Sequence, residues 1–398
     1  MKKFLEKAVK WLLTASGFVT SVVILLIIGF LFTEGAGLFR EPVVEEGYVL
    51  ALNRENPVST LTAAEIKAVF DEDVTNWKDL GGDDMEIVPF RLEDADKYFT
   101  QEQLGAQYEH AGAAIVSLVA STPGMIAFVP GSMVPEDADL NLIEDKNISA
   151  GEVFGGKEWF PTATPAPLFG ILPLLAGTLW VSLFAILFAL PFGISIAVYM
   201  SEVASPKVRN FLKPVIELLN GIPSVVYGFF GLIIIVPLLQ QVFGLPVGES
   251  GLAGSIVLAI MALPTIVTVA EDAMRNCPRT LREASLALGA TKWQTIYKVV
   301  IPSSMSGIAS GVVLGIGRAV GETMAVLMVT GNAAVIPTSI LEPLRTIPAT
   351  IAAELGEAPA GGAHYQSLFL LGVILFFITF FINMCVEFIS SRGRAKNS

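Results

Sequence analysis

Residues 280–302, TLREASLALGATKWQTIYKVVIP, decide the fold class, because this polar, cap-rich stretch lies between two long hydrophobic runs. Thr280 followed by Glu283 has the spacing of a capping box. Gly289 stands where a helix stops, and Thr291 followed by Gln294 has the spacing of a second box. The reading is two short helices meeting at a tight glycine turn beside a bilayer. Ala284, Ser285 and Gly289 are small enough for another protein's surface to approach the backbone, and Arg279, Arg282, Lys292 and Lys298 set charge around that contact. A DNA-reading helix-turn-helix also joins two short helices by a tight turn. Tethering at both ends to membrane spans argues against it.

Composition independently demands a membrane: 53% of the 398 residues are hydrophobic and only 16% are charged. Apolar runs of about 20 residues, free of charge except for Arg318 and Glu322 in the fifth and Glu387 in the last, mark six spans. They are Leu12 to Phe32, Leu168 to Met200, Ile222 to Phe243, Leu252 to Ala270, Gly307 to Thr330 and Ser367 to Phe388. Basic residues cluster beside alternate span ends: Lys2, Lys3, Lys7 and Lys10 before the first, Lys207, Arg209 and Lys213 after the second, Arg275 to Lys298 after the fourth, and Arg392, Arg394 and Lys396 at the end. By the positive-inside rule these loops and both termini are cytoplasmic. The first span lacks a small-residue cleavage site and exceeds a signal-peptide core, so it is expected to stay as an anchor.

The opposite side receives one large insertion. Residues 34–166 hold 25 acidic and 8 basic residues, net −17, which leaves the remainder at +5 against −12 for the whole chain. That charge suits a solvated surface and excludes nucleic acid as a partner. The insertion reads as α/β: a strand at Tyr48 to Leu52, a helix opened by Thr62 and Glu65 and running through Phe70, a turn at Asp79 to Gly82, a strand at Ile87 to Phe90, then a helical stretch leading to Met125 to Val129. More than a hundred residues suffice for a modest core.

Inside the fifth span, Gly315 to Ala325 places Arg318 and Glu322 four residues apart, on one face of a continuous helix. Charges at that depth must pair with each other or face a polar path. Arg318 offers a fork of donors to an oxyanion, and Glu322 can accept a hydrogen bond from a protonated oxygen of that anion. Gly221-Ile222-Pro223 breaks a helix that begins near Pro206 and starts the third span, with Ser224 placed to satisfy freed backbone groups.

Three resemblances sharpen these expectations. Glu283-Ala284-Ser285, then Gly289, then Val299-Val300-Ile301-Pro302 resembles the EAA loop of ABC importer permeases, with Ser in place of the third residue's Ala. That likeness implies a coupling helix that docks on a cytoplasmic ATPase, with Arg282, Glu283, Ala284, Ser285, Gly289, Thr291 and Trp293 at the contact. Leu219 to Phe229 and Arg318 to Ala325 resemble the permease subunits of bacterial high-affinity phosphate importers, and the extra amino-terminal span fits their C-type subunit. This implies a substrate path lined by Arg318, Glu322, Thr323, Ser224 and Asn220, with inorganic phosphate as substrate. The implied partners are a second permease subunit, two ATPase subunits and an extracytoplasmic phosphate-binding protein. Leu61-Thr62, Glu65-Ile66, Val69-Phe70, Thr75-Asn76-Trp77, Gly81-Gly82 and Ser121 to Gly124 resemble one lobe of periplasmic phosphate-binding proteins. Arg91-Leu92-Glu93-Asp94-Ala95-Asp96 stands where those proteins carry a Ser-Gly-Thr phosphate loop, so the lobe is expected to dock the separate binding protein or take its place, without holding phosphate itself.

There is no GxxxxGK[ST] loop, so ATP and Mg belong to the partner ATPase and no cofactor or metal is expected on this chain. His110 and His364 lack metal spacing, and no nucleophile set is present. The expected architecture is an α-helical polytopic membrane protein of six transmembrane helices with an ABC importer permease core and an α/β extracytoplasmic insertion. It divides into 1–33 (amino-terminal segment and first span), 34–166 (insertion), 167–390 (permease core, coupling loop 271–302) and 391–398 (cytoplasmic tail), in a bacterial inner membrane and in contact with its lipid. Two rivals stand beside it: a permease for phosphonate, molybdate or sulfate, and a phosphate-sensing scaffold.

Overall fold

The computed structural model describes residues 2–395 apart from 106, 107, 109, 136, 144 and 145; residues 396–398 of the tail, Lys396 among them, lie outside the described residues. The chain forms two compact units, one of residues 36–171 with 359–367 and one of the remaining residues.

The first helix of the apolar unit, α1 (Lys2–Gly37), contains the first span. The α/β unit follows, with β1 (Tyr48–Asn53), α2 (Ala63–Phe70), β2 (Val88–Arg91), α3 (Ala111–Ser121), β3 (Met125–Pro130), β4 (Leu140–Leu142), α4 (Ala150–Gly155), β5 (Trp159–Phe160) and β6 (Leu168–Phe169). The main sheet runs β2-β3-β1-β4. β2 is parallel to β3, whereas β1 is antiparallel to both its neighbours. Its core joins Phe90, Ile115, Val119, Met125, Ala127 and Val129. Thr62 and Glu65 form the reciprocal capping box that the sequence suggested at α2. Fully buried Trp77 keeps its indole donor satisfied by the Gly124 carbonyl at 2.9 Å. The hairpin β5–β6 takes Leu168 and Phe169 out of the second span, which begins only at α5.

The apolar unit continues with α5 (Leu172–Val198), α6 (Pro206–Asn220), α7 (Ser224–Phe230), α8 (Val236–Phe243), α9 (Gly251–Arg275), α10 (Arg279–Ala287), α11 (Lys292–Thr295), α12 (Met305–Val320), α13 (Met324–Val329), α14 (Ile347–Glu354) and α15 (Ala363–Ala395). Among the described residues five helices are long and apolar enough to cross a membrane, and six when the pair Lys292–Ser303 and Met305–Val320, bent by 68°, counts as one. Short π-helical stretches at Tyr199–Val203, Gly231–Ile235 and Ile296–Val300 interrupt three of the spans.

The core of this unit forms where α5, α9, α12 and α13 meet, around Val181, Ala185, Ala189, Val257, Ala262, Ile266, Ala319, Ala325 and Val329. Small residues dominate because helices in lipid gain cohesion from close van der Waals approach. Gly307 and Gly315 of α12 show the approach directly: a Cβ on Gly307 would lie 2.3 Å from the Ala273 Cβ, and one on Gly315 would lie 2.9 Å from Ile266. The fifth span departs from its expected form. The α-helix stops at Val320, residues 321–323 are non-helical, and α13 restarts at Met324. Gly321, which lacks a helix-favouring side chain, sits at that stop. Arg318 and Glu322 therefore do not share a face of one continuous helix.

Candidate functional site

The docking loop is built by two caps. α10 begins after Pro278, whose ring fixes a φ of −54° and which ends the preceding turn, so Thr280 lies inside the helix and the expected Thr280–Glu283 box does not form. At the other end Gly289 has φ +85°; its N–H bonds the Leu286 carbonyl at 3.0 Å, and the Ala290 N–H bonds that of Ser285 at 3.2 Å. These are the two bonds of a Schellman turn, which needs a residue without a Cβ penalty at the left-handed position. Thr291 then caps α11: Gln294 N–H donates to its Oγ1 at 3.3 Å, and the Gln294 side chain accepts from the Thr291 N–H at 2.8 Å. The hydroxyls of Ser285 and Thr295, 3.0 Å apart, fasten α10 to α11.

These bonds turn one surface outward. Leu288 is 89% exposed and Trp293 64%, with Leu286, Glu283, Ala284, Gly289 and Thr291 also exposed. Large apolar side chains this exposed on a polar loop make it a candidate interaction surface. Arg282 behaves differently from its neighbours: its guanidinium donates to Glu202 Oε1 and to the Met274 carbonyl, both at 2.7 Å. It is a brace to its own chain, tying α10 to the end of the second span and to α9.

The second constellation lies where α6, α9 and α12 meet. Arg318 Nη1 donates to Asn220 Oδ1 at 3.2 Å, and Thr265 Oγ1 donates to the same oxygen at 3.4 Å. Arg318 makes no ion pair with Glu322 among the described residues, and Asn220 occupies one of its five donors. Glu322 instead accepts from the Ala325 N–H at 3.3 Å and so caps the restarted helix α13. Thr323 donates to the Gly321 carbonyl at 3.3 Å, within the break. Ser224 begins α7 without a capping bond, contrary to its expected role. Buried Tyr227 does that work, donating its hydroxyl to the Leu219 carbonyl at 2.9 Å, a carbonyl at the end of α6. No local signal marks Tyr227, because its acceptor lies eight residues back across the Gly221-Ile222-Pro223 break.

In the α/β unit, the segment after β2 carries an ion pair at the surface. Asp94 and Lys97 pair at 2.7 Å, and the Asp94 carboxyl lies below the usual range, first through the Lys97 hydrogen bond and further through the Arg91 backbone N–H.

Residues 189–394, more than half of the chain, match the family model of binding-protein-dependent transport system inner membrane components, and residues 29–164 match that of the PBP superfamily domain. A probable ABC transporter permease protein of Bacillus subtilis, YqgH, is 42% identical over 247 residues, which is 62% of this chain and 80% of that protein. The phosphate transport system permease proteins PstC of Mesorhizobium japonicum and Xylella fastidiosa are 40% and 37% identical, each over 57% of this chain and 75% and 74% of their own length. The chain belongs to the family of binding-protein-dependent transport system inner membrane components. It is a multi-pass membrane protein whose helical permease core carries an α/β domain of the binding-protein class.

Proposed function

We propose that the chain is the transmembrane permease subunit of an ATP-driven inorganic phosphate importer of a bacterial inner membrane. The observation that carries this is the likeness of its permease core to phosphate transport system permeases, including 40% identity over 247 residues to one of them. The complex would pair this subunit with a second permease, two cytoplasmic ATPase subunits that hold ATP and Mg, and an external phosphate-binding protein. No cofactor is assigned to this chain. Both termini and the docking loop lie in the cytoplasm on the positive-inside rule, with the acidic domain outside.

In this reading Leu288 and Trp293, flanked by Glu283, Ala284, Ser285, Gly289 and Thr291, rest on the ATPase, while Arg282 transmits its movement inward. Arg318 binds the anion through the guanidinium donors that Asn220 leaves open, and Glu322 and Thr323 hold the break that presents it. Closure of the ATPase pair moves the docking helices as a rigid element, and the path alternates between its two openings. The α/β domain docks the separate binding protein or takes its place, since the carboxylates Glu93, Asp94 and Asp96 stand where phosphate would otherwise be held. Competition tests the substrate: unlabelled phosphate should suppress uptake of labelled phosphate in the reconstituted complex, whereas sulfate, molybdate and phosphonate at equal concentration should not. Equal suppression by any of these three would reassign the oxyanion.

A further inference from the structure

Glu271 is fully buried near the end of α9, yet it carries a carboxylate and takes no part in the docking loop or the Arg318 site. Its two oxygens are held separately. Arg209 Nε reaches Oε1 at 2.7 Å and Lys213 Nζ reaches Oε2 at 3.1 Å, both from α6. Arg275 approaches Oε1 at 3.7 Å from its own helix, and Lys213 also donates to Asp272 at 2.9 Å. A buried carboxylate is tolerated only when it is charge-paired and hydrogen-bonded on this scale.

The geometry of α6 gives the cluster a direction. Arg209, Lys213 and Asn220 fall within a stripe of about 40° on a 3.6-residue helix. Lys213 and Asn220 are seven residues apart, and so are their partners Asp272 and Thr265 on α9. The two helices therefore run antiparallel, joined by polar rungs one heptad apart, about 10 Å along the axis. The far rung is the Asn220 amide that holds Arg318. The near rung adjoins Met274, three residues beyond Glu271, whose carbonyl receives Arg282 of the docking helix. One turn of α9 thus touches the docking helix on one side and α6 on the other.

We infer that Glu271 is a positioning residue: it clamps the basic end of α6 to the part of α9 that the docking helix grips, so that movement of the docking helix is delivered along α6 to Asn220 and Arg318. This rests on the reading of Arg318 as a residue of the substrate path. Removing the charge of Glu271 leaves Arg209 and Lys213 without their shared anion and frees α6 to lag behind α9. The docking surface and Arg318 itself are untouched.

The test uses the complete complex, with its second permease, ATPase and phosphate-binding protein, in proteoliposomes. The readout is phosphate moved per ATP hydrolysed, normalised to assembled complex, for wild type, Glu271→Gln and Arg318→Gln. The inference predicts that Glu271→Gln lowers this ratio about tenfold, the scale of a coupling residue remote from both ligands. A purely structural role for Glu271 lowers the yield of complex and leaves the ratio unchanged, which overturns the inference. A lowered ratio in Glu271→Gln beside an unchanged one in Arg318→Gln faults the reading of Arg318 and with it the assignment of Glu271 as its positioner. Should Glu271→Gln fail to assemble, Arg209→Gln and Lys213→Gln, each of which takes one α6 partner from Glu271 and leaves it the other, keep the proposal open to refutation. Each should lower the ratio, and a ratio unchanged in both contradicts the proposal.

Discussion

Arg282→Gln should detach the docking helix from inside the chain rather than weaken its outer surface. The guanidinium makes two bonds of 2.7 Å, one to Glu202 and one to the Met274 carbonyl, and the Glu202 side chain is only 11% exposed. Hydrogen bonds to charged groups contribute about 1.5–3 kcal/mol each, and a half-removed buried pair costs about 3–5 kcal/mol because the surviving charge is stranded. Glutamine can keep one weak bond, so a loss of about 3 kcal/mol is expected. For a unit of this size that corresponds to a melting temperature lower by roughly 6–12 °C in detergent. Glu202→Gln should lower it similarly, and the double variant should lose less than the two singles combined, because the pair is shared. Additive losses, or a melting temperature within 1–2 °C of wild type for Arg282→Gln, would refute the brace and return Arg282 to the partner-facing surface.

Gly289→Ala should cost about 1–2 kcal/mol, since no atom obstructs a Cβ there and the penalty is that of φ +85° alone. Gly289→Asn should recover part of it in the same melting assay. Tyr227→Phe should leave the Leu219 carbonyl only its longer bond from the Ile222 N–H at 3.4 Å and cost about 1 kcal/mol, with a loss of uptake that Val225→Ala, on the exposed side of the same helix, does not share. Gly307→Leu should prevent α12 from closing on Ala273 and lower the yield of folded chain, whereas Gly317→Ala, with open space around it, should not. Asp94 has a depressed carboxyl pKa when folded, so its stabilisation is present above the ordinary carboxylate value and disappears as pH falls through the depressed one. The melting difference between wild type and Asp94→Asn, small for so exposed a pair, should therefore vanish in acid, and a difference that persists or grows there contradicts the Lys97 pairing.

Legibility in the sequence followed the distance over which each feature is determined. Gly289, the Thr291–Gln294 box and the Thr62–Glu65 box are local, set by residues within one turn, and they stand in the structure as their spacing suggested. The Thr280 box failed for a local reason as well: Pro278 moved the helix start two residues earlier. Arg318 and Glu322 were misplaced because a largely apolar run does not reveal a break, and Gly321 ends the helix between them. Most of what joins the elements was hidden. Glu271 and its partners on α6 lie about sixty residues apart, as Asn220 and Arg318 lie nearly a hundred apart, and no periodicity within one helix records such a pairing. Arg282 looked like surface charge because its acceptors, Glu202 and the Met274 carbonyl, come from other helices.

ATP-dependent uptake of radiolabelled phosphate into proteoliposomes that hold this chain with its second permease, ATPase and binding protein tests the central claim most directly, with wild type and Arg318→Gln compared at equal ATPase assembly. Phosphate accumulation by wild type that requires ATP and is lost in Arg318→Gln is the expected result. Accumulation of no phosphate by the assembled wild-type complex contradicts the substrate, and uptake indifferent to Arg318 contradicts the path.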